Sequence, residues 1–133
     1  MKRVLICGAR DWTNRRQIRD WLEWLQTQGY GYLIEGEAKG ADTIAKEEAL
    51  NLGYGVISVP AKWEIYGRAA GPIRNAEMLT YHPDLVLAFH LDISKSKGTA
   101  NMVMQTQAAR VPVIVEGEVS RLPEIKEVGK WAD

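Results

Sequence analysis

Five short stretches of the chain carry nearly unbroken apolar or β-branched residues: RVLIC (3–7), YLIE (32–35), GVISV (55–59), DLVLAF (84–89) and PVIVE (112–116). Each has the length of a strand. None alternates polar with apolar residues, which is the pattern of strands covered on both faces, as in a parallel sheet. The segments between them have a helical period. Ile18, Trp21, Leu22 and Leu25 recur at three- and four-residue spacing among charged residues, and Asn14 followed by Gln17 reads as the start of that helix. A second helix follows Asp42, with Ile44, Ala45, Ala49 and Leu52 apolar and Gly53 as its stop. A third opens at Gly71–Pro72, because proline suits the first helical position. A fourth starts near Thr99 and carries Met102, Val103, Thr106 and Ala109.

Strand and helix thus alternate through five strands, which predicts an α/β, three-layer doubly wound sheet of about five parallel strands in the order 3-2-1-4-5. In such sheets ligands sit beyond the carboxyl ends of the strands. A length of 133 residues fits a single domain spanning 1–133, and the polar tail after Glu116 is expected to wrap the surface.

Composition narrows the function. Lysine plus arginine equals aspartate plus glutamate at 17 each, so no global field draws the protein to a nucleic-acid backbone or an anionic membrane, and any anion affinity must be local. A lone cysteine, Cys7, excludes a disulfide framework and a cysteine-rich zinc site. The N-terminal apolar run is too short for a signal peptide, and no window approaches a membrane span; the expectation is a cytoplasmic protein. His82 and His90 lack a neighbouring carboxylate cluster, so no metal site is expected, and no motif calls for a separate cofactor.

Four segments at predicted strand ends carry the chemistry. After the first strand, Gly8 permits close backbone approach and is followed by Arg10 and Asp11, unless Asp11 merely caps the next helix. After the second, Gly36 and Gly40 flank Lys39 just before Asp42, and the backbone N–H groups of such a loop at a helix start can hold phosphate. After the third, Trp63, Tyr66, Arg68, Arg74 and Asn75 lie in one stretch; aromatic rings stack on bases, and a guanidinium fork matches phosphate oxygens. After the fourth, Gly98 and Thr99 open a helix, with Thr99 serving either as an N-cap or as a donor to an anion.

These motifs together resemble the SLOG superfamily, and within it the YspA-like branch of small single-domain proteins. The resemblance covers nearly all of residues 3 to 116. It rests on Gly8, Arg10, Asp11 and Trp12; on Gly36, Ala38, Lys39, Gly40, Ala41 and Asp42; on Pro60, Ala61 and Trp63; on the run from Gly67 through Met78; and on Gly98 to Met102. It implies a Rossmann-like fold that binds a nucleotide or nucleotide-derived small molecule, in a sensing, sequestering or carrier role, and a homodimer. Related members include lysine-decarboxylase-like phosphoribohydrolases and the DNA-processing protein A group. An N-glycosidic hydrolase acting on a nucleotide is therefore an alternative, and a DNA-binding module a second, disfavoured by the balanced charge. Arg74 aligns with the catalytic arginine of the phosphoribohydrolases. Met102 stands where their catalytic glutamate would be, leaving Asp11, Asp42 or Glu77 as the acids a hydrolase would need.

Overall fold

Alternate residues of the central strands meet two different cores. In the computed structural model, which describes residues 1–128, strand β1 (Lys2–Gly8) sends Val4 and Ile6 to one side and Leu5 and Cys7 to the other, and all four are buried. Strand β4 (Leu85–Phe89) repeats this, with Leu85, Leu87 and Phe89 on the first side and Val86 and Ala88 on the second. Burial on both faces is the physical reason the runs lack alternation. With β2 (Tyr30–Glu35), β3 (Gly55–Ser58) and β5 (Val113–Glu116) they form one sheet in the order β3-β2-β1-β4-β5, every pairing parallel. The predicted order is the observed one.

Helices α1 (Arg15–Thr27) and α2 (Ala41–Asn51) cover the first face. Asn14 caps α1: its side chain accepts from the Gln17 N–H at 3.1 Å, as the sequence predicted. Gln17 does not return the bond to the cap backbone. It is buried, and its amide donates to Glu116 Oε2 and to the Gly117 carbonyl, each at 3.1 Å. The α1–α2 pair is stapled by Glu48, which accepts from Arg15 at 2.7 Å and Arg19 at 3.1 Å and is held below the usual carboxylate range, first by Arg15.

The second face is covered by α4 (Ala70–Leu79) and α5 (Lys97–Ala108), through Met78, Met102 and Val103. The third helix begins earlier than proline placement suggested. A short helix α3 (Trp63–Tyr66) and a 3₁₀ turn (Gly67–Ala69) lead directly into Ala70, so Pro72 is the third helical residue, still inside the turn whose N–H groups need no partner. The fourth begins at Lys97 with Ser96 as the cap, its Oγ accepting from the Thr99 N–H at 3.2 Å; Thr99 is therefore not the N-cap. The segment after Glu116 is not merely a surface wrap. It forms α6 (Leu122–Val128), whose Leu122 enters the first core. Among the described residues no helix is long and apolar enough to cross a membrane.

Glu116 ties this end of the fold together. Fully buried, it accepts from Trp21 Nε1 at 2.7 Å, Gln17 Nε2 at 3.1 Å, Ser120 Oγ at 2.8 Å and the Arg121 N–H at 2.8 Å. Its removal leaves the buried Trp21 N–H without an acceptor and Gln17 Nε2 with the Gly117 carbonyl alone, and an unsatisfied buried donor costs about 1–3 kcal/mol. Glu116→Ala is expected to lower unfolding stability by about 2–4 kcal/mol, with Glu116→Gln lying between it and the unmodified protein. The measurement is the urea midpoint at constant slope.

Candidate functional site

Strand order reverses between β1 and β4, so the loops leaving their carboxyl ends diverge to opposite faces of the sheet and open a cleft. The cleft has a volume of about 1350 Å³. Its edge is set at Gly8, which pairs with Phe89. The Ala9 N–H donates to the Phe89 carbonyl at 2.9 Å, and a Cβ on Gly8 would run into that same carbonyl. Close approach, as the sequence suggested, is what the glycine provides.

Ten of the thirteen residues singled out from sequence line this cleft: Gly8, Arg10, Asp11, Asp42, Trp63, Arg68, Arg74, Asn75, Gly98 and Thr99. Arg10 and Asp11 are exposed and make no hydrogen bond among the described residues, so Asp11 does not cap α1. Trp63 is 49% exposed on α3, a wall residue and not a member of either core. Trp12 also lines the cleft but is buried in the first core against Phe89, with ring centroids 5.6 Å apart.

Gly36, Lys39 and Gly40 do not line the cleft, and the expected phosphate cradle after β2 is already filled by the protein's own carboxylates. The Gly36 and Ala38 N–H groups donate to Asp42 Oδ2 at 2.9 and 3.4 Å, and the Glu37 N–H donates to Glu35 Oε1 at 2.8 Å. The donors were read correctly; their acceptors are internal. Gly40 serves packing: at φ 74° it presses against the backbone of Ala9 and Arg10, while Ala41 donates to the Ala9 carbonyl at 3.1 Å. Lys39 is exposed.

Two buried carboxyls therefore lie under one loop. Burial, and then the nearby charge of Glu35, push Asp42 up to about 7, against the pull of the Gly36 and Ala38 N–H groups and of Arg74. Glu35 is fully buried, and its Oε2 has no hydrogen-bond partner among the described residues. Burial, with Asp42 adding to it, also pushes the Cys7 thiol far up, so this cleft residue is not a thiolate nucleophile.

Arg74 projects from α4 with its Nη1 donating to the Gly36 carbonyl and its Nε donating to Asn75 Oδ1 at 3.0 Å; no carboxylate pairs with it among the described residues. Asn75 is buried and donates to the Gly98 carbonyl at 3.3 Å and to Asn101 Oδ1 at 3.1 Å. Opposite, the backbone N–H groups of Lys97 and Gly98 at the start of α5 carry no bond among the described residues, and the Thr99 hydroxyl is likewise unused. Lys95 and Lys97 add side-chain charge to that wall. Ser96, a good N-cap residue three positions before Thr99, is legible in the sequence, whereas the bond of Asn101 to Asn75 and the orphaned oxygen of Glu35 emerge only from the fold. His90 also lines the cleft, its Nδ1 accepting from the Asp92 N–H at 2.9 Å. Glu77, one acid considered for a hydrolase, is exposed outside it.

Similar architecture occurs in solved proteins. The X-ray structure of TM1055 matches with a TM-score of 0.67 at 19% identity, covering 96% of this chain and 81% of that one. DNA processing protein A (DprA) from Streptococcus pneumoniae matches with a TM-score of 0.53 at 16% identity, covering 93% of this chain; the chain spans only 62% of that protein. Identities this low establish a shared Rossmann-like fold and nothing finer. In sequence, the Gene 61 protein of Mycobacterium phage D29 is 38% identical over 125 residues, covering 89% of this chain and 98% of that protein. Residues 2–66, which hold the Gly8–Trp12 and Gly36–Asp42 motifs and the loop up to Tyr66, match the profile of a described family, and with the relative's near full-length identity this places the chain in it: the protein belongs to the YspA, cpYpsA-related SLOG family.

Proposed function

We propose that the cleft binds a nucleotide, or a small molecule derived from one, with its phosphate between Arg74 and the open N-terminus of α5. The observation that carries this reading is the pair of unused donor sets lining the same cleft, one on α4 and one at the start of α5. Arg74 keeps its Nη2 hydrogens free of acceptors among the described residues, and the Lys97 and Gly98 N–H groups sit at the positive end of a twelve-residue helix. The partly exposed indole of Trp63 offers a stacking face on the same wall. Family membership points the same way. The role is binding: sensing, sequestration or carriage of the ligand.

The rival reading is cleavage of the N-glycosidic bond. Its specific support is Asp42, a cleft carboxyl held near neutral, where general acids work best. Against it, Oδ2 of Asp42 is committed to the Gly36 and Ala38 N–H groups, and Met102, 1% exposed on the cleft floor, has no proton to transfer.

Three outcomes are expected. Isothermal titration with AMP shows saturable binding, and Arg74→Ala weakens it by about 1.5–3 kcal/mol, the worth of a charge-assisted bond. Because Arg74 also satisfies the Gly36 carbonyl, the same variant loses some melting temperature, and binding must be compared below the transition. No heat and no thermal shift with mononucleotides, dinucleotides or ADP-ribose derivatives would remove the reading.

Asp42 predicts a pH dependence. Its folded value lies above its unfolded value of 3.8, so its contribution to stability is full below about 3.8, is lost as pH rises to about 7, and is constant beyond. A bound phosphate favours the protonated carboxyl further, so affinity for the anion falls as pH rises through about 7. The phosphate's own second ionisation, near 6, acts in the opposite sense. The ratio of affinities of Asp42→Asn to the unmodified protein isolates the carboxyl: it should rise between pH 6 and 8 by up to about tenfold for each unit by which the phosphate raises the carboxyl's pKa. A ratio that stays flat would detach Asp42 from the ligand.

Turnover is expected to be negligible, since general acid–base catalysis is worth about 100- to 10,000-fold and the cleft lacks a free acid at Met102. Chromatographic release of free base from AMP, GMP or CMP at about 1 per second or faster would favour the hydrolase instead.

A further inference from the structure

Arg74 is held by a relay of amides that begins on a helix face outside the cleft. A guanidinium has five N–H donors in a fixed plane. Its Nε–H goes to Asn75 Oδ1 at 3.0 Å and one Nη1 hydrogen to the Gly36 carbonyl, so the plane of the remaining fork depends on where Asn75 presents its oxygen. An asparagine amide can turn over, exchanging oxygen for nitrogen. Here it cannot do so without loss, because its Nδ2 is committed to the Gly98 carbonyl at 3.3 Å and to Asn101 Oδ1 at 3.1 Å. The shorter of these acceptors is itself fixed. Asn101 Oδ1 also accepts from Gln105 Nε2 at 2.7 Å, and Gln105 Nε2 donates in turn to the Pro72 carbonyl at 3.1 Å. A reversed Asn75 would set its oxygen against two oxygens and its NH₂ against the Nε–H of Arg74.

We infer that Asn101, anchored by Gln105, is a positioning residue that locks Asn75 and thereby aims the Arg74 fork at two oxygens of a bound phosphate. Neither Asn101 nor Gln105 lines the cleft, so neither touches the ligand. The geometric claim concerns the free protein; its consequence for affinity rests on the nucleotide reading above. A lysine could supply the same charge to the cleft but not the fork, and only a fork needs its plane fixed. This accounts for a chain of neutral amides, buried at Asn75 and half-buried at Asn101 and Gln105, rather than a carboxylate, beside a functional arginine: the amides orient the guanidinium without neutralising it.

The test has two arms. In the first, without ligand, the Arg74 Nε–H resonance is identified in a ¹⁵N–¹H spectrum by its loss in Arg74→Lys, and its solvent exchange is measured. Asn101→Ala is expected to speed that exchange by about tenfold, the weight of one ordinary hydrogen bond, while Asn101→Asp, which keeps an oxygen for both donors, stays within about twofold. Gln105→Ala, on a half-buried residue, gives a smaller change in the same direction and serves if Asn101→Ala folds poorly. Unchanged exchange in both alanine variants overturns the inference. In the second arm AMP is titrated into a double-mutant cycle. Asn101→Ala should raise Kd about five- to tenfold when Arg74 is present and less than about twofold in the Arg74→Ala background, since coupled residues are non-additive. An undiminished penalty without Arg74 overturns it as well. If AMP does not bind the unmodified protein, the nucleotide reading falls, and the exchange arm still decides the positioning.

Discussion

The reversal of strand order between β1 and β4 is the constraint on which the site depends. Parallel pairing in the register Cys7↔Ala88 and Gly8↔Phe89 brings two strand ends side by side, while the chain leaves one towards α1 and the other towards α5. Neither loop can cover the gap, so the sheet has an opening there as a matter of connectivity. Gly8 lets the pairing run to the end of β1, and the Ala9–Phe89 bond carries it one residue further. The Gly8–Asp11 loop and the start of α5 leave the sheet at that edge.

The loops around the cleft divide into those that consume their own hydrogen-bonding capacity and those that leave it open. After β2 three successive N–H groups are taken by Glu35 and Asp42, and the Gly36 carbonyl is taken by Arg74. That loop is a scaffold. Its two buried carboxyls are tolerable together only because one lies near neutral and can be uncharged: a second unpaired charge in the same apolar setting would cost several kcal/mol. After β4 the N–H groups of Lys97 and Gly98 stay unused among the described residues, because Ser96 caps only Thr99. Open hydrogen-bond donors thus remain at the second loop and not at the first.

This difference explains what was legible in the sequence. Strand order, the two-faced burial of the sheet, the Asn14 cap and the role of Gly8 follow from local pattern, because periodicity and capping act over a few residues. Glycine spacing identified the loop after β2 as rich in free N–H groups, but the acceptors that fill them stand at Glu35, the last residue of a strand, and Asp42, the second residue of a helix, and spacing does not report where a side chain turns. The start of α5 was misplaced by two residues because Ser96 sits among other polar residues in SKSKGT, with no apolar residue to mark the boundary. Asn101 lies within the Gly98–Met102 motif and Gln105 one turn beyond it, but the role of both comes from Asn75, 26 residues away from Asn101 in the chain. Contacts of that range leave no local signature.

A net charge of zero is compatible with anion recognition because the relevant field is that of a few groups. The cleft carries Arg10, Arg68, Arg74, Lys95 and Lys97 against Asp11, Asp42, Asp92 and Glu118, a near balance by count. The acids are weaker opponents than the count implies. Asp42 is half protonated near pH 7, and Asp92 is turned to the N–H and hydroxyl of Ser94 at 3.0 and 2.6 Å. Arg74, in contrast, is half-buried, has no carboxylate partner among the described residues and is held in place by neutral amides. Two unit charges 4 Å apart interact by about 4 kcal/mol at an effective dielectric of 20, against about 1 kcal/mol in bulk water. A single oriented guanidinium in such surroundings therefore outweighs several exposed lysines. The protein as a whole can remain neutral while one wall of its cleft draws an anion.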